Sequence, residues 1–155
     1  AMCLLEKRQF SEDDFALFHP GGSLGRKLTI RTKDVMATGD MLPVVPEDML
    51  MRKAMNVLSR KNLGIIVAVN QHGKISGVFT TGDLMRLLEK GKDFLDKPLL
   101  DYASPKPKTI APEALAAKAL HVMETNSITC LVVSDPEDRP IGLVQIYYIL
   151  RAGVY

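Results

Sequence analysis

The sequence predicts an α+β fold built from two copies of one strand–helix–strand–strand–helix unit, related by pseudo-twofold symmetry. The segment from Ala54 to Arg86 recurs from Ala119 to Arg151 without a gap, at a constant offset of 65 residues. Each copy also contains a compact apolar run of strand length and rich in β-branched residues, Ile65 to Val69 and Cys130 to Val133. A unit of about 55–60 residues is only marginally stable alone, because it buries little surface, so we expect the two copies to pack together.

The chain before the first copy is predicted to form two short helices between Ala1 and Phe18, with Ser11 and Asp14 resembling a capping box between them. The run from His19 to Gly25 then contains one proline and three glycines, which predicts a loop. A sequence that opens within an amphipathic helix suggests a piece of a larger protein, and a natural N-terminal arm is the alternative. We expect the boundaries to be 1–28 for this segment, 29–95 for the first copy and 96–155 for the second.

The remaining elements follow from periodicity and turn residues. Pro46-Glu47-Asp48 and Pro112-Glu113 are suited to the first turn of a helix. Apolar residues follow at helical spacing in both copies: Leu50, Ala54, Val57 and Leu58, then Leu115, Ala119, Val122 and Met123. The second strands are predicted at Ile75 to Phe79 and Ile141 to Val144, and the closing helices at Asp83 to Glu89 and Tyr147 to Arg151.

The composition excludes several classes of function. The 155 residues are 46% hydrophobic and 25% charged with a net charge of +2, which is ordinary for a soluble globular chain. Tryptophan is absent and no Lys/Arg run is interleaved with aromatics, so we expect no nucleic-acid partner. No apolar stretch approaches the ~20 residues that span a bilayer, so we expect no membrane segment. Cys3 and Cys130 predict buried free thiols in a reducing cytoplasm, with a disulfide as the less favoured alternative.

The two copies differ at one polar motif. The first copy reads Gly77-Val78-Phe79-Thr80-Thr81-Gly82-Asp83, and the second reads Gly142-Leu143-Val144-Gln145-Ile146-Tyr147-Tyr148. From Arg31 to Tyr155 the chain resembles a tandem pair of CBS domains, the Bateman module. The first copy's motif is similar to that family's nucleotide motif, which is glycine–apolar–any–Ser/Thr–any–any–Asp.

This resemblance implies a nucleotide site in the first copy. Thr80 and Asp83 would hold the ribose and the phosphate end, and Gly77 would let a ligand approach the strand closely. The base would enter an apolar slot whose matching positions are Met36, Ala37 and Thr38 together with Leu63, Gly64 and Ile65. The alternative is that Thr80 and Asp83 only end a strand and cap a helix. Because the second copy has Gln145 and Tyr148 instead, we expect at most one well-formed site.

The segment from Phe15 to Arg26 resembles the end of the sugar-isomerase domain of bacterial D-arabinose 5-phosphate isomerases, in which a CBS pair follows directly. The closing Arg151-Ala152-Gly153-Val154 is similar too. The resemblance implies a parent enzyme that interconverts ribulose 5-phosphate and arabinose 5-phosphate for Kdo, and hence for lipopolysaccharide or capsule. It implies a catalytic role for His19 in the intact enzyme only; by itself such a histidine is more often a loop residue.

Two hypotheses follow. In the first, the chain is the regulatory CBS pair of such an isomerase, binds CMP-Kdo or an adenine nucleotide, and has a hinge at Gly21–Gly25. In the second, it is a structural dimerisation module that associates through apolar residues of the first closing helix, such as Leu84, Leu87 and Leu88. A homodimer is expected in either case, and a tetramer for the parent.

An intact small enzyme is the least favoured hypothesis. The sequence shows no convergent acid, base and nucleophile. No resident cofactor or metal is expected, because the cysteines and histidines lack ligand spacing: Cys3, His19, His72, His121 and Cys130.

Overall fold

A computed structural model describes residues 22–91 and 93–155, so the predicted helices before His19, and His19 and Cys3 themselves, lie outside the described residues. In chain order, the elements before the second copy are α1 (Ser23–Thr29), α2 (Thr32–Val35), β1 (Val44–Pro46), α3 (Met51–Lys61), β2 (Ile65–Val69), β3 (Ile75–Thr80) and α4 (Thr81–Glu89). The second copy supplies β4 (Thr109–Ile110), α5 (Ala116–Asn126), β5 (Cys130–Ser134), β6 (Pro140–Gln145) and α6 (Ile146–Arg151). The predicted order strand–helix–strand–strand–helix is confirmed in both copies.

Each copy forms one three-stranded sheet. The strand orders are β1-β2-β3 and β4-β5-β6. In the first sheet β1 runs parallel to β2, with Val44 opposite Val67, and β3 runs antiparallel to β2, with Ile65 opposite Thr80. This register places the end of β3 beside the start of β2, where the residues predicted to bind a ligand are concentrated.

The first copy packs α3 against its sheet through an apolar cluster. Met51, Ala54 and Phe79 are fully buried in it. Its other buried members come from the sheet, from α3 and from the chain after α4: Val45, Leu58, Ile66, Ala68, Phe94 and Leu99. Phe79, the residue before Thr80, is held in this cluster at the end of β3.

The first helix of each copy begins later than predicted. Pro46 lies in β1, the amide of Glu47 donates to the carbonyl of Val69 at 2.8 Å, and α3 starts only at Met51 after Leu50. In the second copy α5 likewise starts at Ala116 rather than near Pro112. The prediction was wrong because Pro46 and Glu47 continue the pairing of β1 with β2, and Pro112 and Glu113 lie in a turn after β4.

Part of the loop predicted from His19 to Gly25 is helical. Ser23, Leu24 and Gly25 belong to α1, which begins after Gly22, and Gly25 is buried within it. The Thr29 hydroxyl donates to the Gly25 carbonyl at 2.7 Å. Gly25 therefore lies inside a helix that packs against α5 and not in the predicted loop.

The described chain forms two compact units. One comprises residues 22–36, Ile110–Leu131 and Val144–Tyr155, and the other comprises Ala37–Thr109 and Val132–Leu143. In the first unit, α1 and α2 pack against α5. The second unit contains α3, α4 and the whole first sheet.

The segment that precedes each copy pairs with the other copy. In the first unit, the amide and hydroxyl of Thr32 donate to the Ala114 carbonyl at 2.8 and 2.9 Å. In the second unit, the amide of Leu99 donates to the Met49 carbonyl at 2.8 Å. The segment after Leu99 therefore runs beside the first sheet, although by sequence it belongs to the start of the second copy.

Candidate functional site

Thr80 and Asp83 form a reciprocal cap at the start of α4. The Thr80 amide and hydroxyl each donate to Asp83 Oδ2 at 2.8 Å. The Asp83 amide donates to Thr80 Oγ1 at 3.2 Å. Thr80 is the last residue of β3 and Asp83 the third residue of α4, so strand end and helix start hold each other in a fixed geometry.

The carboxyl of Asp83 stays ionised in this setting. Burial by itself would raise its pKa, but hydrogen bonds from the Thr80 amide and hydroxyl, together with Arg86, outweigh burial and lower the pKa below its ordinary value. The side chain is only 17% exposed. The site therefore presents a fixed, partly buried negative charge that can accept hydrogen bonds.

Arg86 completes the pairing of Asp83. Its Nη2 donates to Asp83 Oδ1, the oxygen that Thr80 leaves unused. Its side chain is 65% exposed, in contrast to that of Asp83. The spacing of three residues on one helix brings the two charges together. Sequence reasoning missed Arg86, although its position three residues after Asp83 was a usable signal.

Leu63 and Gly64, just before β2, and Ile65, its first residue, lie beside this cap. Ile65 pairs with Thr80 in the sheet, and both Leu63 and Ile65 are buried. Gly64 is exposed with a φ of +71°, and its carbonyl accepts from the amide of Thr81 at 3.0 Å. A glycine suits this backbone conformation, which side chains rarely adopt.

Among the described residues, the backbones of Ala37 and Thr38 form no hydrogen bond with this cap, and the predicted wall at Met36, Ala37 and Thr38 stays a prediction. Ala37 instead forms a two-way backbone pair with Leu143 on β6 of the second copy, at 2.8 and 3.0 Å. The position beside β3 is taken by Ser104, which pairs with Val78 at 2.7 and 3.0 Å. Each copy's opening segment thus pairs with the last strand of the other copy. Local sequence patterns do not reveal this pairing, because it joins residues far apart in the chain.

Gly77 lies in close contact with another segment of the chain, the residues Ala103 and Ser104. A Cβ at this position would lie 2.9 Å from the Ser104 carbonyl oxygen and 3.0 Å from the Ala103 Cβ. The space that we expected to admit a ligand is therefore filled by the segment running beside β3. Glycine is needed at residue 77 so that this segment can pack there.

A cavity of about 620 Å³ lies next to the cap, between α3 and α4. Gly64 and Thr81 line it, whereas Thr80 and Asp83 do not. Most of its walls are apolar, from Met55, Leu58, Leu84, Leu88, Phe94 and Leu95, and its polar members are Ser59, Asn62, Thr81 and Asp93. The size falls within the range of small-molecule pockets.

The second copy repeats the backbone of this arrangement without its polar groups. The amide of Ile146 donates to the Thr129 carbonyl at 2.9 Å, as Thr81 does to Gly64. Gln145 makes no side-chain capping bond to α6. Tyr148 replaces Asp83 and packs edge-on against Tyr147, with 5.8 Å between ring centroids. No carboxylate is available at this end of α6.

Two further groups bear on the chemistry. Cys130 is a free thiol whose burial raises its pKa to about 11, so it is a poor nucleophile.

His72 lines a second cavity of about 680 Å³ beside Glu47 and Asp48. In the described part of the chain, no group of three or more His, Cys, Asp or Glu side chains could hold a metal ion. No helix within residues 22–91 and 93–155 is long and apolar enough to cross a membrane.

Most of the chain matches a known protein family. A family model described as CBS domain matches residues 32–90 and 99–155. The chain belongs to the CBS domain family. Its two matches correspond to the two copies read from the sequence, so the duplication is that of a CBS pair.

Among curated proteins, the chain is similar to the arabinose 5-phosphate isomerase KdsD of Pseudomonas aeruginosa. The two are 44% identical over 154 residues, which is 99% of this chain and 47% of that protein. The chain thus spans about half the length of the curated relatives it matches.

Solved structures support the fold. The CBS domain pair of protein MJ0100, solved with 5′-methylthioadenosine and S-adenosyl-L-methionine, has a TM-score of 0.70 and 20% identity, over 78% of this chain and 93% of that one. The CBS domain protein PAE2072 from Pyrobaculum aerophilum, complexed with AMP, has a TM-score of 0.70 and 21% identity, over 77% and 89%. At these identities the likeness shows the fold alone.

Proposed function

We propose that this CBS pair is the nucleotide-binding regulatory module of an arabinose 5-phosphate isomerase. The observation that carries the proposal is the fixed carboxylate of Asp83, bonded to Thr80 at the start of α4. Similarity to KdsD over nearly the whole chain supports the parent activity. The module itself supplies binding and no catalysis, and the isomerase chemistry belongs to the rest of the parent, to which His19 would contribute.

The ligand class follows from the site and from the fold neighbours. An ionised carboxylate at a strand end can accept hydrogen bonds from ribose hydroxyls. CBS pairs of the same fold are solved with AMP and with S-adenosyl-L-methionine, which share an adenosine group. We propose either an adenine nucleotide or CMP-Kdo, the activated sugar at the end of the pathway that arabinose 5-phosphate feeds.

Regulation requires that the ligand bind two conformations with different affinity. The junction before α1 is where a change in the pair would reach the isomerase domain, and Gly22 there is exposed. Because Gly25 is buried in α1, the proposed hinge is confined to the residues before Ser23. The free thiol of Cys130 suits a cytoplasmic location, where unpaired cysteines persist.

Isothermal titration calorimetry with AMP, ATP and CMP-Kdo tests the proposal. We expect at least one of them to bind with one molecule per chain, because only the first copy has the polar motif. Asp83→Asn should weaken that affinity roughly 10- to 100-fold, the usual effect of losing a hydrogen bond to a charged group. Glu89→Gln, which removes an exposed carboxylate from the same helix, is the matched control. Absence of binding by all three ligands would refute the ligand proposal.

A second candidate function is dimerisation, and the surface of α4 favours it. Met85 and Leu88 are 52% and 56% exposed there, beside the apolar cavity. Exposed large apolar groups beside an open apolar cavity are typical of interaction surfaces. We propose that α4 forms the interface of a homodimer, and that the parent enzyme is a tetramer; this is compatible with ligand binding.

A further inference from the structure

The pairing of Asp83 with Arg86 has features that helix stability does not require. Thr80 already donates twice to Asp83 Oδ2, so the cap is complete without Arg86. Arg86 adds a bond to Oδ1, the one carboxylate oxygen still open to a ligand. The Arg86 end of this ion pair is 65% exposed, so solvent screens it and the pair contributes little net stability. The arginine is therefore held at the site by a weak and exchangeable contact.

The position of Arg86 places its charge at the start of α4. Helical side chains lean toward the N-terminus, which brings this guanidinium back over the first turn. Its Nη1 lies 3.5 Å from where a Cβ on Gly82 would stand. Because Gly82 has no side chain, the guanidinium has free space beside the first turn of α4. The guanidinium is 65% exposed and offers planar, paired donors that match phosphate oxygens.

We infer that Arg86 is the phosphate-recognising residue of this site and that it exchanges partners when a nucleotide binds. A ribose hydroxyl donates to Asp83 Oδ1 in place of Arg86, and the released guanidinium donates to the ligand's phosphate oxygens. Without Arg86, the Asp83 carboxylate would repel the phosphate of the same ligand. The inference rests on the proposed nucleotide-binding function and names the residue that selects nucleotides over nucleosides.

The second copy offers a natural comparison. Arg151 stands on α6 at the offset of 65 from Arg86, but Tyr148 replaces the aspartate at the matching position. An arginine in that place has no carboxylate three residues before it and no ribose partner beside it. Arg151 should therefore make no contribution to nucleotide binding, which makes Arg151→Gln the matched control.

The test compares each nucleotide with its own nucleoside: AMP with adenosine, and CMP with cytidine, by calorimetry on the whole chain. We expect Arg86→Gln to weaken binding of the nucleotide roughly 10- to 100-fold, as expected for a charged hydrogen bond, and to change nucleoside affinity by no more than about twofold. Arg86→Lys keeps the charge but loses the paired donors, so its affinity should be intermediate. Arg151→Gln should leave both affinities at the wild-type values.

Each result has one meaning. An equal loss of nucleotide and nucleoside affinity in Arg86→Gln would show that Arg86 only positions Asp83, and would overturn the inference. Unchanged nucleotide affinity in that variant would overturn it as well, while leaving the proposed function intact. Failure of the wild-type chain to bind any nucleotide or nucleoside would overturn the proposed function and this inference with it. A thermal midpoint within about 2 °C of wild type confirms that Arg86→Gln is folded, since exposed pairs contribute little.

Discussion

The two carboxylate oxygens of Asp83 have different partners. Oδ2 accepts both bonds from Thr80 and caps α4, while Oδ1 faces Arg86. The sequence left capping and ligand binding as alternatives for this pair, and the geometry makes them compatible because each uses a different oxygen. Spacing alone was enough to find Thr80 and Asp83. It could not tell which oxygen each partner takes, since that depends on how β3 enters α4.

The cap predicts how stability depends on pH. The folded-state pKa of Asp83 is lowered, so its stabilising effect is present above the unfolded pKa and is lost as pH falls through the folded pKa. Asp83→Asn should lower the free energy of unfolding by about 1 kcal/mol near neutral pH, a typical value for a lost helix cap. Urea unfolding of both proteins, repeated down to about pH 3, should show this difference shrinking. A difference that stays constant or grows toward acid would contradict the assigned cause.

At the scale of elements, the leading segments determine what lies beside the site. Ser104 pairs with Val78 on β3, whereas Ala37 pairs with Leu143 on β6. Periodicity located the repeated strands and helices to within a few residues, because each depends on its own local pattern. The pairing of these two segments joins distant parts of the chain, and for this reason local sequence patterns did not predict it.

Gly77 tests the packing of that segment. In Gly77→Ala the new Cβ would meet the Ser104 carbonyl and the Ala103 side chain at about 3 Å, so backbone must shift. We expect a loss of about 1–3 kcal/mol in the free energy of unfolding, as for other overpacked sites. Gly82→Ala is the matched control: the nearest atom to its Cβ is 3.5 Å away, and alanine favours a helix more than glycine. Chemical denaturation should show the control equal to or more stable than wild type; equal losses in both variants would refute the packing argument.

At the scale of the whole molecule, the two copies share one backbone arrangement but differ in the polar groups at the start of the closing helix. The elements of both copies begin at matching positions, and even the bond from the first amide of α4 to Gly64 recurs between α6 and Thr129. The carboxylate at the helix start is present only in the first copy. The two copies therefore share a fold but differ in the chemistry at the start of their closing helices.

The exposed face of α4 leads to the last prediction, which concerns assembly. If Met85 and Leu88 form a dimer interface, a symmetric dimer buries each of them twice, so one substitution acts at two places. Leu88→Lys should therefore raise the dimer dissociation constant at least roughly tenfold, because burying a leucine contributes about 1.5–3 kcal/mol. Sedimentation velocity over a concentration series measures this. Leu100→Lys, another exposed leucine outside α4, should leave the dimer intact. A wild-type chain that stays monomeric, or a dimer that Leu88→Lys does not weaken, would rule out this interface, whereas a dimer that forms without ligand and binds no nucleotide would favour the structural role over the regulatory one.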